Sequence, residues 1–206
     1  MYALVEDNSI TKIFPGPKGF EHNGNQYSPD IFFKWSKAEK EAIGLYEVTT
    51  DSTNYKDKQW YINTNESFTF NSGKVTRSWG TATPKKHTDT LWTEEDKTDG
   101  NIPEGKDVGD VAVEGLKTQL IRTIKQQAAG RLQDTDWYII RKADAGTAVP
   151  SSITTHRAAV RTKCAEMETS ITNASDTPAL ETLYTYTKQE DGSITRPLGE
   201  LPMLEA

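Results

Sequence analysis

The chain has 206 residues, 34% of them hydrophobic and 26% charged, with a formal net charge of −6, enough for one domain or two small ones. The apolar share is below the roughly 45–50% of globular chains, a figure that also counts glycine, so part of the apolar surface is expected to be buried only against partner chains. No run approaches ~18 consecutive apolar residues, so no membrane insertion is expected; the acidic balance argues against nucleic acid; and the single Cys164 excludes an intramolecular disulfide and multi-cysteine zinc sites.

The first 80 residues read as a small antiparallel β module. Tyr2, Leu4 and Ile10 alternate with polar residues around Asp7-Asn8-Ser9, which predicts an opening hairpin. Pro15-Gly16-Pro17 stops it, because proline has no N–H to give to a ladder. No basic segment followed by an apolar run occurs here, so no signal peptide is expected. Ser36 and Glu39 stand at capping-box spacing before a helix of about two turns, which Gly44 ends. Strand-like runs follow at Leu45 to Thr50, Gln59 to Asn63, Ser67 to Asn71 and Lys74 to Trp79, the last two joined by the turn signal Asn71-Ser72-Gly73.

From Thr81 to Asp110 the composition shifts to eight acidic residues against four lysines, and Leu91, Trp92, Ile102 and Val108 stand isolated. The segment exceeds the ~12–15 residues expected of a loop inside a compact domain, so it reads as an extended acidic linker. Two readings stay open: it drapes over a partner with Leu91 and Trp92 as anchors, or it is a flexible tether.

From Val111 the period becomes helical. Val113, Leu116, Leu120, Ile124, Ala128 and Leu132 recur at spacings of three and four, one stripe on a helix of more than 20 residues. Thr135-Asp136 offers a cap for a helix that Gly146 ends. Pro150 starts another, striped by Ile153, Val160, Cys164, Met167 and Ile171, and Thr177-Pro178 opens a short last helix. Residues 111–188 therefore read as a helical hairpin region and 189–206 as an irregular tail, giving an α+β fold class. The stripe of Val113, Leu116, Leu120, Ile124 and Leu132 serves either as intramolecular core or, since two helices cover such stripes poorly, as a seam for a homo-oligomer.

Nothing in the sequence marks catalysis. His22, His87 and His156 include no pair at i, i+4, and each reads as a solvated surface histidine. Cys164 reads as a small buried residue. The acidic run Glu94 to Gly100 fails the EF-hand template, because positions three and five from Asp96 are Thr98 and Gly100. No enzyme activity, cofactor or metal is expected. Trp35, Trp60, Tyr61 and Trp79 leave a sugar-binding platform open beside ordinary core packing.

The block Asp136-Trp-Tyr-Ile-Ile-Arg-Lys-Ala-Asp-Ala-Gly146, continuing through Val149-Pro150 to His156-Arg157-Ala-Ala-Val-Arg161, resembles the C-terminal helical region of tail-associated proteins of tailed bacteriophages, including the tail-fibre-assembly-like group. The opening Met-Tyr-Ala-Leu-Val-Glu-Asp-Asn-Ser-Ile and the hairpin Asn71 to Trp79 fit the β module of such proteins. The resemblance covers residues 130–172 and, more loosely, 1–80. It implies a non-enzymatic tail protein that attaches, organises or helps assemble tail fibres by contacts with other tail or fibre proteins, assembled in the host cytoplasm and located in the virion tail. A glycan-binding module of the tail is the alternative. The resemblance also implies that Trp137 is buried between the C-terminal helices with Asp136 as a cap, and that Ile139 or Ile140 meets a second surface. Arg141, Arg157 and Arg161 are then helix-surface charges or carboxylate partners at an interface. The acidic segment at Thr81 to Asp110 departs from assembly chaperones of this kind, leaving open a transient chaperone or a permanent virion part.

Overall fold

A computed structural model describes residues 1–204 as a mixed α+β protein in two compact units, the first Met1–Thr83 and the second beginning at Pro84.

The first unit contains β1 (Tyr2–Glu6), β2 (Ser9–Phe14), β3 (Phe20–His22), β4 (Asn25–Tyr27), α1 (Ile31–Lys34), α2 (Lys37–Ala42), β5 (Leu45–Thr50), β6 (Tyr61–Ile62), β7 (Ser67–Asn71) and β8 (Lys74–Ser78), and the chain leaves it through β9 (Thr83–Pro84). Five strands form a sheet in the order β2-β1-β5-β8-β7, curled so that its edge strands β2 and β7 approach. The turn between β1 and β2 places Asp7 and Asn8 at φ 47° and 63°, the left-handed pair that a two-residue hairpin loop requires. Alternation along β1 then divides the core. Tyr2 and Leu4 face Phe14, Phe20, Ile31, Phe32 and Leu45, while Ala3 and Val5 pack with Val75 on the other side. The capping box of Ser36 and Glu39 forms at the start of α2. Gly44 is needed behind that helix: its φ is +78°, and a Cβ there would lie 2.5 Å from the Val5 carbonyl oxygen.

One expectation fails here. The module is not wholly antiparallel, since β5 and β8 pair in parallel from Val48↔Val75 to Thr50↔Arg77. A parallel neighbour needs a crossover of a dozen or more residues. Residues 51–73 supply it, carrying the chain out through β7 and back along β8.

The second unit contains β10 (Thr90–Leu91), α3 (Glu94–Thr98), β11 (Val111–Val113), α4 (Leu116–Gln133), α5 (Asp136–Ala145), α6 (Ser151–Asn173), α7 (Thr177–Tyr184), β12 (Thr187–Lys188) and β13 (Ile194–Thr195). Most of the segment expected as an extended linker is folded into this unit. β10 pairs with β11, and Thr93 and Asp96 form a reciprocal capping box on α3. Residues 86–89 also cap α4. The amides of Leu116 and Lys117 donate to the carbonyls of Lys86 (3.1 Å) and His87 (3.0 Å). The Asp89 carboxylate accepts from the Gly115 amide (2.7 Å) and the Thr118 hydroxyl (2.9 Å). Hydrogen bonds rather than apolar burial hold this stretch, which is why its composition resembles a linker.

α4 starts at Leu116, after Gly115 in extended backbone (φ −77°, ψ 171°), so Val113 lies on a strand and not on the helical stripe. Lys117 donates to the Thr172 carbonyl (2.8 Å), Lys125 pairs with Glu168 (3.0 Å) and Arg157 donates to the Leu132 carbonyl (2.8 Å). That reversed order sets α4 and α6 antiparallel along their buried stripes. On α6 the stripe is Ile153, His156, Arg157, Val160, Cys164, Met167 and Ile171.

The expected irregular tail supplies β13, which pairs with β12 just ahead of it, and buries Leu198 and Leu201, with the Leu198 amide donating to the Leu183 carbonyl (3.0 Å); residues 205–206 lie outside the described ones. The Arg196 guanidinium stands 5.1 Å from the Tyr184 ring centre and 5.2 Å from that of Tyr186, a cation–π arrangement. Burial pushes the Tyr184 phenol up from its ordinary 10 to about 12. In that window the unfolded chain gives up the phenolic proton and the folded unit keeps it. The stability Tyr184 contributes is therefore present below about pH 10 and lost as pH rises toward 12. Thermal melts between about pH 9 and 11.5 are expected to show a shallower decline for Tyr184→Phe than for the unaltered chain; equal slopes would refute the assignment.

Candidate functional site

The residues expected to form an interface separate into two groups. Leu116 and Ile124 are buried and Leu120 and Leu132 half-buried, on the helix that packs against α6. They are largely consumed within the chain. Leu91, Trp92 and Val113 come together instead on the β10–β11 ribbon, joined by Val111. Leu91 is in register with Val111 and Thr90 with Val113. Trp92 is half-buried and fixed by its amide to the Asp110 carbonyl and by its carbonyl to the Gly109 amide, both at 2.9 Å. Leu91, Val111 and Val113 are exposed at 47%, 40% and 65%.

A second surface is the helix α5, which buries none of its residues. Trp137 is 48% exposed and Ile140 67%, with Ile139 also exposed. The Tyr138 ring centre lies 3.7 Å from that of Trp137, and the Arg141 guanidinium sits 4.7 Å from the Trp137 ring centre and 5.4 Å from that of Tyr138. Trp137 is thus not buried between helices, and Asp136 does not cap α5, whose N-terminus has no side-chain cap. The sequence carried the signal. At 100° per residue, Trp137-Tyr138-Ile139-Ile140 spans about 300° of a helix circumference, so no single packing face can cover it.

The corner that holds α5 in place is polar and buried. Arg157 Nη1 donates to the Leu132 carbonyl (2.8 Å) and the Thr135 hydroxyl (2.6 Å) and pairs with Asp136 (2.8 Å). The Thr135 hydroxyl donates in turn to the Leu132 carbonyl at 2.8 Å. Arg157 is buried and takes the carboxylate-partner role within its own chain, whereas Arg161 is exposed.

The other candidates fall as follows. His22 and His156 are buried, not solvated. His22 lies on the inward face of β3 with Phe20, its Nδ1 2.9 Å from Glu6 and its Nε2 3.1 Å from Asn23 Nδ2. His156 stands three residues from Ile153 and four from Val160, on the stripe of α6. Cys164 is buried; its thiol donates to Glu168 at 3.4 Å, and burial raises its pKa, the reverse of what a nucleophile needs. The Asp96 carboxylate accepts from the amide (2.9 Å) and hydroxyl (2.6 Å) of Thr93, which hold its pKa below the ordinary range. Among the described residues no three or more His, Cys, Asp or Glu gather where a metal could sit, and no helix is long and apolar enough to cross a membrane. Trp60 and Tyr61 are buried and Trp35 packs against the first core, while Trp79 is half-buried beside Tyr55.

Comparison with protein-family models, with curated proteins and with solved structures finds no match to this chain.

Proposed function

We propose that the protein is a non-enzymatic component of a bacteriophage tail that attaches, organises or helps assemble tail fibres through protein–protein contacts, in the virion tail after assembly in the host cytoplasm. The observation that carries this reading is α5: a helix with Trp137, Ile139 and Ile140 exposed, backed by Tyr138 and Arg141. Trp, Tyr and Arg are the residue types that dominate binding hot spots. The exposed Leu91, Val111 and Val113 of the β10–β11 ribbon supply a second apolar patch. Contacts with fibre or tail chains, and any pairing with a second copy, are assigned to these surfaces rather than to the expected α4 seam. Leu116 and Ile124 are already buried in the chain, and exposing them to recruit a partner would cost the unit its own core.

Because α5 buries none of its residues, Trp137→Ala combined with Ile140→Glu is expected to leave thermal stability within about 2 °C of the unaltered chain. Association with purified tails or fibres of the encoding phage, read by co-sedimentation, is expected to weaken by about tenfold or more. Mass spectrometry of purified virions separates a resident tail part from a transient chaperone. Undiminished co-sedimentation of the double variant would sink the assignment of α5.

A further inference from the structure

We infer that the first unit carries a saccharide-binding cleft at the end of strands β5 and β8. The cleft, of about 550 Å³, is walled by Tyr55 and Trp79 and edged by Thr50, Ser52, Asn65 and Arg77. The two rings meet edge to face with centres 4.7 Å apart, and the Arg77 guanidinium lies 4.5 Å from the Trp79 ring centre while pairing with Glu66. The aromatic corner is therefore fixed before any ligand arrives. Asn54 Nδ2 donates to the Trp79 carbonyl (3.1 Å), tying the Tyr55 loop to the strand end. Asn63 clamps the same loop by accepting from the Lys56 amide (2.9 Å) and donating to its carbonyl (2.7 Å).

The chemistry selects the ligand class. A fully apolar molecule would leave the hydroxyls of Thr50 and Ser52 and the Asn65 carboxamide buried without partners, a cost of the kind that makes polar-lined sites reject apolar ligands. A phosphate ligand would need a clear surplus of positive charge, yet of the two cations in the lining, Lys58 and Arg77, the latter is already paired with the Glu66 carboxylate. A pyranose fits both features: its C–H face packs against an aromatic ring and its ring of hydroxyls exchanges hydrogen bonds with hydroxyl and carboxamide groups. The expected platform of Trp35, Trp60, Tyr61 and Trp79 is thereby narrowed to Trp79 and joined by Tyr55, which pattern alone did not single out. All these residues lie in the first unit and those of the proposed protein contacts in the second, so either reading can fail without the other.

The test uses the full chain on an array of immobilised hexoses, N-acetylhexosamines, 6-deoxyhexoses and uronic acids, with hits repeated as titrations of the same sugar followed by tryptophan fluorescence. At least one class is expected to bind. Tyr55→Ala, on an exposed loop, and Trp79→Ala are expected to weaken it by about tenfold or more, Asn65→Ala by a few-fold, and Trp92→Ala in the second unit not at all. Circular dichroism of each variant establishes folding; should Trp79→Ala unfold, Tyr55→Ala and Asn65→Ala decide the matter. Absence of binding by the unaltered chain to every class overturns the inference, as does binding that both Tyr55→Ala and Asn65→Ala retain in full.

Discussion

Gly115→Ala is expected to destabilise the second unit by about 3 kcal/mol or more, combining overpacking with lost hydrogen bonds. The backbone conformation at Gly115, φ −77° and ψ 171°, suits any residue, so no left-handed strain is involved. The penalty is steric. A Cβ there would lie 2.3 Å from the Thr88 carbonyl carbon, 2.4 Å from its oxygen and 2.8 Å from the Asp89 amide nitrogen. Those are backbone atoms, which cannot rotate away as a side chain would. To clear them, residues 86–89 must retreat from the start of α4, and that withdraws the acceptors of Leu116, Lys117, Gly115 and Thr118 together. A helix N-terminus leaves four amides without intrahelical partners, and α4 has no side-chain cap of its own. Asp89→Ala separates the contributions, since it removes only the two carboxylate bonds and is expected to cost about 1–2 kcal/mol. Urea unfolding of both variants checks the order; a midpoint for Gly115→Ala equal to that of the unaltered chain would sink the argument.

The same junction shows what the sequence could and could not tell. The apolar pattern of residues 1–80, the capping box at Ser36 and Glu39, and the helices ending at Gly146 and opening at Thr177-Pro178 were all legible, because each rests on local periodicity or local capping chemistry. The role of residues 84–110 was not. Their attachment to the second unit runs through main-chain carbonyls and one aspartate reaching residues 26 and 29 positions away, and no composition or period encodes such pairing. Val113 misled for a related reason: three residues before Leu116, it matches the spacing of the α4 stripe, yet Val111-Ala112-Val113 also alternates as a strand does, and pairing with Thr90 and Leu91 decides in favour of the strand. At the candidate interface, Leu91, Trp92 and Val113 were individually visible, but their meeting on one ribbon depends on that pairing. The cleft of Tyr55 and Trp79 likewise required the crossover from β5 to be folded before the two rings could be seen side by side.

Arg157→Ala is expected to cost about 2–3 kcal/mol, a fall of roughly 6–12 °C in the melting temperature of the second unit. The guanidinium is buried where α4 gives way to α5, and one of its nitrogens serves three acceptors: the Leu132 carbonyl, the Thr135 hydroxyl and the Asp136 carboxylate. Asp136 is 52% exposed at its side chain, so water takes over its solvation when the arginine goes. Thr135 is 2% exposed, so the lone pair its hydroxyl offers Arg157 loses its partner with no water to replace it, while the hydroxyl keeps its own bond to the Leu132 carbonyl. The loss therefore comes mainly from the Leu132 carbonyl and Thr135 hydroxyl and from the vacated volume of the arginine stem, not from the ion pair. Two comparisons follow from that division. Raising salt to about 0.5 M is expected to move the melting temperature of the unaltered chain little, because screening acts on the exposed carboxylate and not on the neutral acceptors. Arg157→Met, which keeps the stem, is expected to lose less than Arg157→Ala. The buried Nε makes no hydrogen bond, so removing the guanidinium also removes a donor that was costly to enclose. A methionine variant as unstable as the alanine one would assign the corner to its hydrogen bonds alone. A melting temperature unchanged in either would show that α5 is held at its angle by something other than this arginine.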